Sequence, residues 1–381
     1  MTWRCNTVFE ERTKFIQEVL NSSGQLTFEQ ICEKYNISPR IGYKWLGRFM
    51  NHGLEGLKDQ SRARKTYPDK ISPEIEQHII DARIEYPTWG PKKLQILLLR
   101  RGLEPPSTGS IGNVLKRNNL SKPRKYRRHV AQTAPLGHCK NVNDIWMYDF
   151  KGYFKTGDGK ICEPLTITDG YSRFLIKCEH MKRKRTIDVW EILKEAFLEY
   201  GLPLRMRSDN GPPFATTGVG RLSPLSIKLI KLGVVPEWIE PGCPQENGRH
   251  ERFHGTLKAE TASPPAKTLE FQILKMNQFR EYYNNTRPHE ALNFKTPQAV
   301  YEKSPRQWDG RLNSPEYSSE FEVRKVGKSG NMFWKNEPYF LSESLYGEYV
   351  GIKELRYGFM GVFYGPIFLG EINLDKGFKR V

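Results

Sequence analysis

The sequence predicts a chain of several domains: helix-turn-helix modules at the N-terminus, a central α/β domain and a small C-terminal β-barrel. Three observations predict it. At 381 residues the chain is too long for one compact core. Apolar residues recur at helical spacing as far as about Asn119, then give way to strand-like runs. After Pro305, short β-prone segments alternate with Gly and Asn turns.

Composition narrows the function classes. A hydrophobic share of 38% and an aromatic share of 12% fit folded domains rather than a disordered chain. No apolar run approaches the roughly 18–20 residues of a membrane span, and Met1 to Cys5 lack the apolar stretch of a secretory signal. The expectation is therefore a cytoplasmic protein with no membrane partner. A formal charge of +17 attracts polyanions, of which nucleic acid is the commonest inside a cell. The six cysteines form no CxxC pair and no zinc-ligand spacing, so they read as small buried hydrophobes.

The first module is expected over residues 1–60. Phe9, Phe15, Ile16, Val19 and Leu20 make a helical stripe that Asn21-Ser22-Ser23-Gly24 stops. Thr27 with Gln30 makes a capping box, Asn36 a turn, and Ser38-Pro39 a second helix start. The helix from Arg40 to Met50 carries Arg40, Tyr43, Lys44 and Arg48 among buried-looking Ile41, Trp45, Leu46 and Phe49. Such a helix can enter a major groove.

A second helical module with basic linkers is expected over 61–128. It opens at Ser72-Pro73, breaks at Tyr86 to Pro91, and resumes with leucine-rich Lys92 to Arg101 and then Ser110 to Asn118. Arg117 to Arg128 holds six basic residues and no acidic one. Arg124, Lys125, Arg127 and Arg128 read as an arm that holds backbone phosphates without reading sequence.

The central domain is expected over 140–305. Ile145 to Phe150, Glu163 to Asp169 and Ser172 to Cys178 read as three strands of an antiparallel meander. Thr186 to Tyr200 reads as a helix, Leu204 to Ser208 as a strand, Leu225 to Leu232 as a helix and Gly233 to Ile239 as a strand. A long helix follows from Gln245. The barrel is expected over 315–381.

Three carboxylates fall where chain geometry can gather them. Asp149 lies in the first strand, Asp209 directly follows the fourth, and Glu251 lies in the long helix. Carboxylates on neighbouring strand ends and a facing helix can share divalent ions, since magnesium takes oxygen ligands from few protein groups. Asp144, Asp169 and Asp188 have structural explanations in loops, a turn and a helix start, and Glu246 in a loop. Gly211 after Asp209-Asn210 reads as a residue that frees the backbone to leave the strand.

The order Asp149, Asp209, Glu251 resembles the Asp-Asp-Glu triad of retroviral integrases and bacterial insertion-sequence transposases. Local sequences agree: Trp146-Met147-Tyr148-Asp149, then Ser208-Asp209-Asn210-Gly211-Pro212-Pro213-Phe214, then Pro244-Gln245-Glu246-Asn247-Gly248-Arg249-His250-Glu251-Arg252. Tyr282 to His289 and Thr296-Pro297 resemble the tail of the same core. The interval of about 40 residues before Glu251 is slightly longer than usual, through an insertion at Ala215 to Leu222. His250 stands where a small or apolar residue is often found.

The resemblance implies a ribonuclease-H-like integrase core. It implies Mg²⁺ or Mn²⁺, two ions per site, held by Asp149, Asp209 and Glu251. It implies hydrolysis at transposon ends and strand transfer into target DNA, by a homodimer or higher oligomer on double-stranded DNA. Asn247, Arg252 and Lys258 become expected DNA contacts on the glutamate's helix, with His254 nearby. Two other readings share these features. One is a DNA-binding regulator derived from a transposase but catalytically inactive, and the other is a nuclease of RNA–DNA hybrids.

Overall fold

The computed structural model describes residues 7–22, 26–61, 71–121, 139–240, 248–373 and 377–380. The chain divides into two compact units, Met1–Ile71 and Ser72–Val381.

In the smaller unit, α1 (Val8–Asn21), α2 (Phe28–Lys34) and α3 (Pro39–His52) are capped by Thr7, Thr27 and Ser38. Thr27 and Gln30 close the expected capping box, and Pro39 opens α3. Phe15, Ile16, Ile31, Cys32, Trp45 and Leu57 form the core. Ile41, expected inside, is 43% exposed, because α3 turns Gly42 and Trp45 inward instead.

The larger unit begins with α4 (Pro73–Glu85), α5 (Pro91–Arg100) and α6 (Thr108–Arg117). This module packs against the residues that follow. Trp89 stacks on Tyr86 at 4.2 Å, and its indole N–H donates to the Tyr282 hydroxyl. Thr88 donates to Glu260 at 2.6 Å, and Arg100 to the Phe294 carbonyl at 2.9 Å.

The central sheet is built from β1 (Ile145–Phe150), β4 (Pro164–Asp169), β5 (Leu175–His180), β6 (Arg205–Ser208) and β7 (Val235–Trp238), with order β5-β4-β1-β6-β7. A small hairpin, β2 (Phe154–Lys155) and β3 (Ile161–Cys162), interrupts the meander. β1, β4 and β5 pair antiparallel, while β6 and β7 join parallel after α7 (Thr186–Tyr200) and α8 (Pro224–Lys231). The expected order of strands and helices is present.

Strand alternation sorts the side chains onto two faces. Trp146, Tyr148, Leu165, Ile167 and Ile176 pack with Val189, Leu193 and Phe197 of α7 and Leu225 and Leu229 of α8. Leu175 and Cys178 pack on the other face with Phe253 and Leu257 of α9 (Gly248–Thr261) and Met276, Phe279 and Tyr283 of α10 (Leu269–Asn285). Both faces are covered, which is why β4 is buried at every position. Asp149 has the opposite parity to Tyr148, so it belongs to the α9 face. A register slip of one residue would drive it into the α7 core.

The C-terminal part is an antiparallel sheet: β8 (Glu322–Lys325), β11 (Tyr349–Arg356), β12 (Phe359–Tyr364), β13 (Ile367–Asn373) and β14 (Gly377–Arg380). The hairpin β9 (Asn331–Trp334) with β10 (Glu337–Phe340) forms a separate two-stranded piece. A closed barrel was the sequence expectation. Among the described residues β8 and β14 are edges, so the sheet is open. Its core includes Val219, Leu222, Ile227 and Ile230 beside Trp334, Val350, Val362, Tyr364 and Leu369. The Ala215 to Leu222 insertion therefore anchors this sheet. Gly220 sits at φ 60°, where a Cβ would lie 2.9 Å from Leu369 Cδ2.

Candidate active site

Register places the first two carboxylates. β1 and β6 pair in parallel with Ile145 opposite Arg205 and Met147 opposite Arg207. Two residues further along, Asp149 and Asp209 stand at the same level, Asp209 one residue past the end of β6. The Gly211 N–H donates to Asp209 Oδ1 at 3.1 Å, and Asn210 Nδ2 donates to the Ile239 carbonyl at 2.7 Å, tying this loop to the end of β7. Gly211 has no left-handed backbone, contrary to the sequence reading. A Cβ there would lie 3.3 Å from Asp209 Oδ2, so glycine keeps the carboxylate uncrowded.

Glu251 stands exposed in the first described turn of α9. Its charge and that of Asp209 both reach Asp149. Burial first, then Asp209 and Glu251, push the Asp149 carboxyl up from 3.8 to about 7. Lys184 opposes this, and the Lys184 ammonium also pairs with Glu163 at 2.5 Å. Lys258 lies exposed on α9, and its charge acts on Lys151, which follows β1 and is partly desolvated. Lys151 is a cation beside the cluster that the motifs did not reveal.

Behind the carboxylates, α9 is fastened to β4 by hydrogen bonds between histidines and threonines. Thr166 is the antiparallel partner of Asp149 and donates to the Asp149 carbonyl at 3.1 Å. That bond uses its only proton, so the Thr166 oxygen accepts from His250 Nε2 and His254 Nε2, both at 2.8 Å. Both rings then carry the Nε2 proton. His250 Nδ1 is left to accept from Thr168 Oγ1 at 3.0 Å. Burial holds both histidines neutral, His254 down to about 4 and His250 well below its ordinary range. His250, unexplained by sequence, is thus completely buried and fully bonded.

Asp149, His250 and His254 also bring one potential ligand atom each within 4.8 Å of the others. For His250 to join a metal, it would have to give up its bond to Thr166 or to Thr168. Hard divalent ions also prefer oxygen.

The other expected site residues fall as follows. Arg40, Tyr43 and Lys44 are exposed on α3, and Arg48 is half-buried over the Trp45 ring. Arg252 is exposed on α9. Arg124, Lys125, Arg127, Arg128 and Asn247 lie outside the described residues. Of the competing carboxylates, Asp169 accepts from Asn143 N, Ser172 N and Ser172 Oγ, and Asp144 from Lys140 N and Asn141 N. Asp188 pairs with Arg185 at 2.7 Å.

Two families described as integrase core domain match residues 140–244 and 232–297. A helix-turn-helix domain family matches 11–65 and a homeodomain-like family 41–115. The insertion element IS407 uncharacterized 31.7 kDa protein of Burkholderia multivorans is 24% identical over 270 residues, which cover 70% of this chain and 91% of that protein. The insertion element IS476 uncharacterized 39.2 kDa protein of Xanthomonas euvesicatoria is 26% identical over 191 residues, 47% of this chain and 53% of that protein.

Among solved structures, the HTLV-2 integrase catalytic core domain in complex with magnesium is 17% identical. It covers 43% of this chain and 100% of its own, with a TM-score of 0.35. The simian T-cell lymphotropic virus intasome in complex with PP2A regulatory subunit B56 gamma is 16% identical, covering 75% and 97%, with a TM-score of 0.37.

Residues 140–297 thus form an integrase core domain preceded by helix-turn-helix domains. The chain is similar to insertion-element proteins over 270 and 191 residues. Among the described residues no helix is long and apolar enough to cross a membrane.

Proposed function

We propose that this chain is an active DNA transposase in which Asp149, Asp209 and Glu251 hold divalent metal ions, Mg²⁺ or Mn²⁺, for cutting transposon ends and joining them to target DNA. The observation that carries the reading is the raised Asp149 carboxyl, lifted by burial and by the charges of Asp209 and Glu251. The charges of Asp209 and Glu251 both raise the Asp149 carboxyl, and a divalent cation would relieve that repulsion. When bound, two such ions would activate the attacking oxygen and neutralise the leaving one.

The chain's own part is positioning. β1 and β6 set Asp149 level with Asp209, and the His250–Thr166–His254 bonds fix the turn that carries Glu251. Lys151 and Lys258 would hold the phosphodiester beside them. The protein would act on duplex DNA as a homodimer or higher oligomer in the bacterial cytoplasm, with the helix-turn-helix domains reading the element's ends.

The test uses purified protein, Mg²⁺ or Mn²⁺, and labelled DNA bearing the element's own ends. Wild type is expected to nick and join in a metal-dependent way. Glu251→Gln should lower both by about a thousandfold or more, the scale of losing a group that stabilises transition-state charge. End binding without cleavage in either protein would sink the proposal.

On the smaller unit, Arg40 and Lys44 are exposed on α3, which we assign to the major groove. The double change Arg40→Gln with Lys44→Gln should weaken binding to the element's ends about tenfold or more. It should also flatten the salt dependence by about one to two phosphate equivalents, without moving the unfolding midpoint. Anisotropy titrations at several salt concentrations measure this.

A further inference from the structure

A second feature of the larger unit is unused by the carboxylate chemistry. Four separate chain segments converge on a cavity of about 290 Å³. Lys93 comes from α5, Arg173 from the β4–β5 turn, Arg249 and Arg252 from α9, and Arg287 with His289 from the segment after α10. The carboxylates nearby are already engaged, Glu260 with Arg287 and Glu290 with Lys92. Among the described residues Lys93, Arg173 and Arg252 make no ion pair.

An orphaned polar atom faces these cations. His289 Nε2 is buried and has no hydrogen-bond partner among the described residues. Burial and the charges of Lys93, Arg287 and Arg173 hold this imidazole neutral, down to about 3. Burial, and secondarily Arg287, brings Lys93 down to about 8. The unpaired cations Lys93, Arg173 and Arg252 beside a buried imidazole nitrogen with no partner are a costly arrangement for the protein alone, and an oxyanion that accepts from a protonated Nε2 would answer both problems at once.

We propose that this cavity is a phosphate-oxyanion site that seats a backbone phosphate of the DNA strand entering the carboxylate cluster. The proposal rests on the transposase reading for its choice of DNA as the source. Position supports that choice. Arg252, Thr256 and Arg287 also line the adjoining cavity, which contains Glu251. Lys93 lies in the segment that matches the homeodomain-like family.

The test measures binding in EDTA, where no strand is cut. Full-length wild type, the double variant Lys93→Gln with Arg173→Gln, His289→Phe and a control, Lys328→Gln in the exposed turn before β9, are titrated with labelled duplex at several salt concentrations. The double variant should bind about 10- to 100-fold more weakly. Its plot of log affinity against log salt should flatten by about 0.9 for each phosphate it no longer neutralises. His289→Phe should weaken binding several-fold, and the control should match wild type.

A second arm follows thermal unfolding in inorganic phosphate against chloride at equal ionic strength. Phosphate should raise the wild-type midpoint and not that of the double variant. In chloride the double variant should be no less stable than wild type, because removing like charges relieves repulsion. A phosphate-specific shift with unaltered DNA binding would overturn the DNA assignment in favour of free phosphate. No change in either arm would overturn the site altogether. Because the readout is binding without metal, failure of the strand-joining assay leaves this result standing, and the reverse holds too.

Discussion

Asp149→Asn is expected to abolish strand cleavage and joining, by about a thousandfold or more, while making the metal-free protein more stable at pH 8. Both effects come from the burial of Asp149 first, and then from the charges of Asp209 and Glu251 beside it. The Asp149 carboxyl sits near 7 in the folded protein against 3.8 for an ordinary aspartate. Between those values the native state holds a proton that the unfolded chain has released. Stability of the metal-free wild type therefore falls as pH rises from about 4 to 7 and levels off above that.

At about 1.4 kcal/mol per pH unit the full loss is on the order of 4 kcal/mol. Asparagine carries no charge, so the variant should lack this slope and unfold at a higher temperature above pH 7. Adding Mg²⁺ should raise the wild-type midpoint strongly and the variant's little, since a ligand stabilises only the state that binds it. Thermal melts from pH 5 to 8, with and without metal, decide the matter. A wild-type profile as flat as the variant's would show that neither burial nor the other carboxylates raise the Asp149 carboxyl.

Thr166→Val should cost about 3 kcal/mol of stability and raise the metal concentration needed for half-maximal joining. The valine methyl fills the same space but leaves His250 Nε2 and His254 Nε2 without their acceptor inside the core. Each buried unsatisfied donor costs about 1–3 kcal/mol. Thr166→Ser keeps the hydroxyl and loses one methyl group, for about 1 kcal/mol. Urea unfolding of the two variants separates hydroxyl from packing, and equal losses would mean the hydrogen bonds contribute nothing. The activity arm matters because Glu251 rides on the turn that these bonds hold. A loosened turn should weaken metal binding before it changes the maximal rate.

Much of this was legible in residues that make local signals. Thr27 with Gln30, Ser38-Pro39 and Ser72-Pro73 start helices through bonds within four residues, and they do so in the structure. The helix Thr186–Tyr200 and the buried strands follow from periodicity in the same way. What remained hidden depends on partners far along the chain. Nothing near Thr166 announces that two histidines more than eighty residues later will share its oxygen. Neither Arg173 nor His289 carries a motif for a cavity whose walls come from four segments.

The strand β9 and the helix α10 were missed for a related reason. β9 is only four residues long, and polar positions dilute the stripe of α10. The closed barrel was an extrapolation from strand count, and strand count does not determine whether the first and last strands meet.

The insertion after Asp209 ties the proposed carboxylate site to the C-terminal sheet. Val219 and Leu222 reach the interior of the C-terminal sheet only a few residues past Asp209, and Lys231 pairs with Glu348 at 2.8 Å. The sheet and the loop that positions Asp209 therefore share one hydrophobic interior. A chain cut off ahead of the sheet would leave Val219, Leu222, Ile227 and Ile230 facing water and slacken the segment that steadies Asp209. The carboxylate site proposed here is thus not a detachable cassette: the loop that carries Asp209 is steadied in part by the C-terminal sheet.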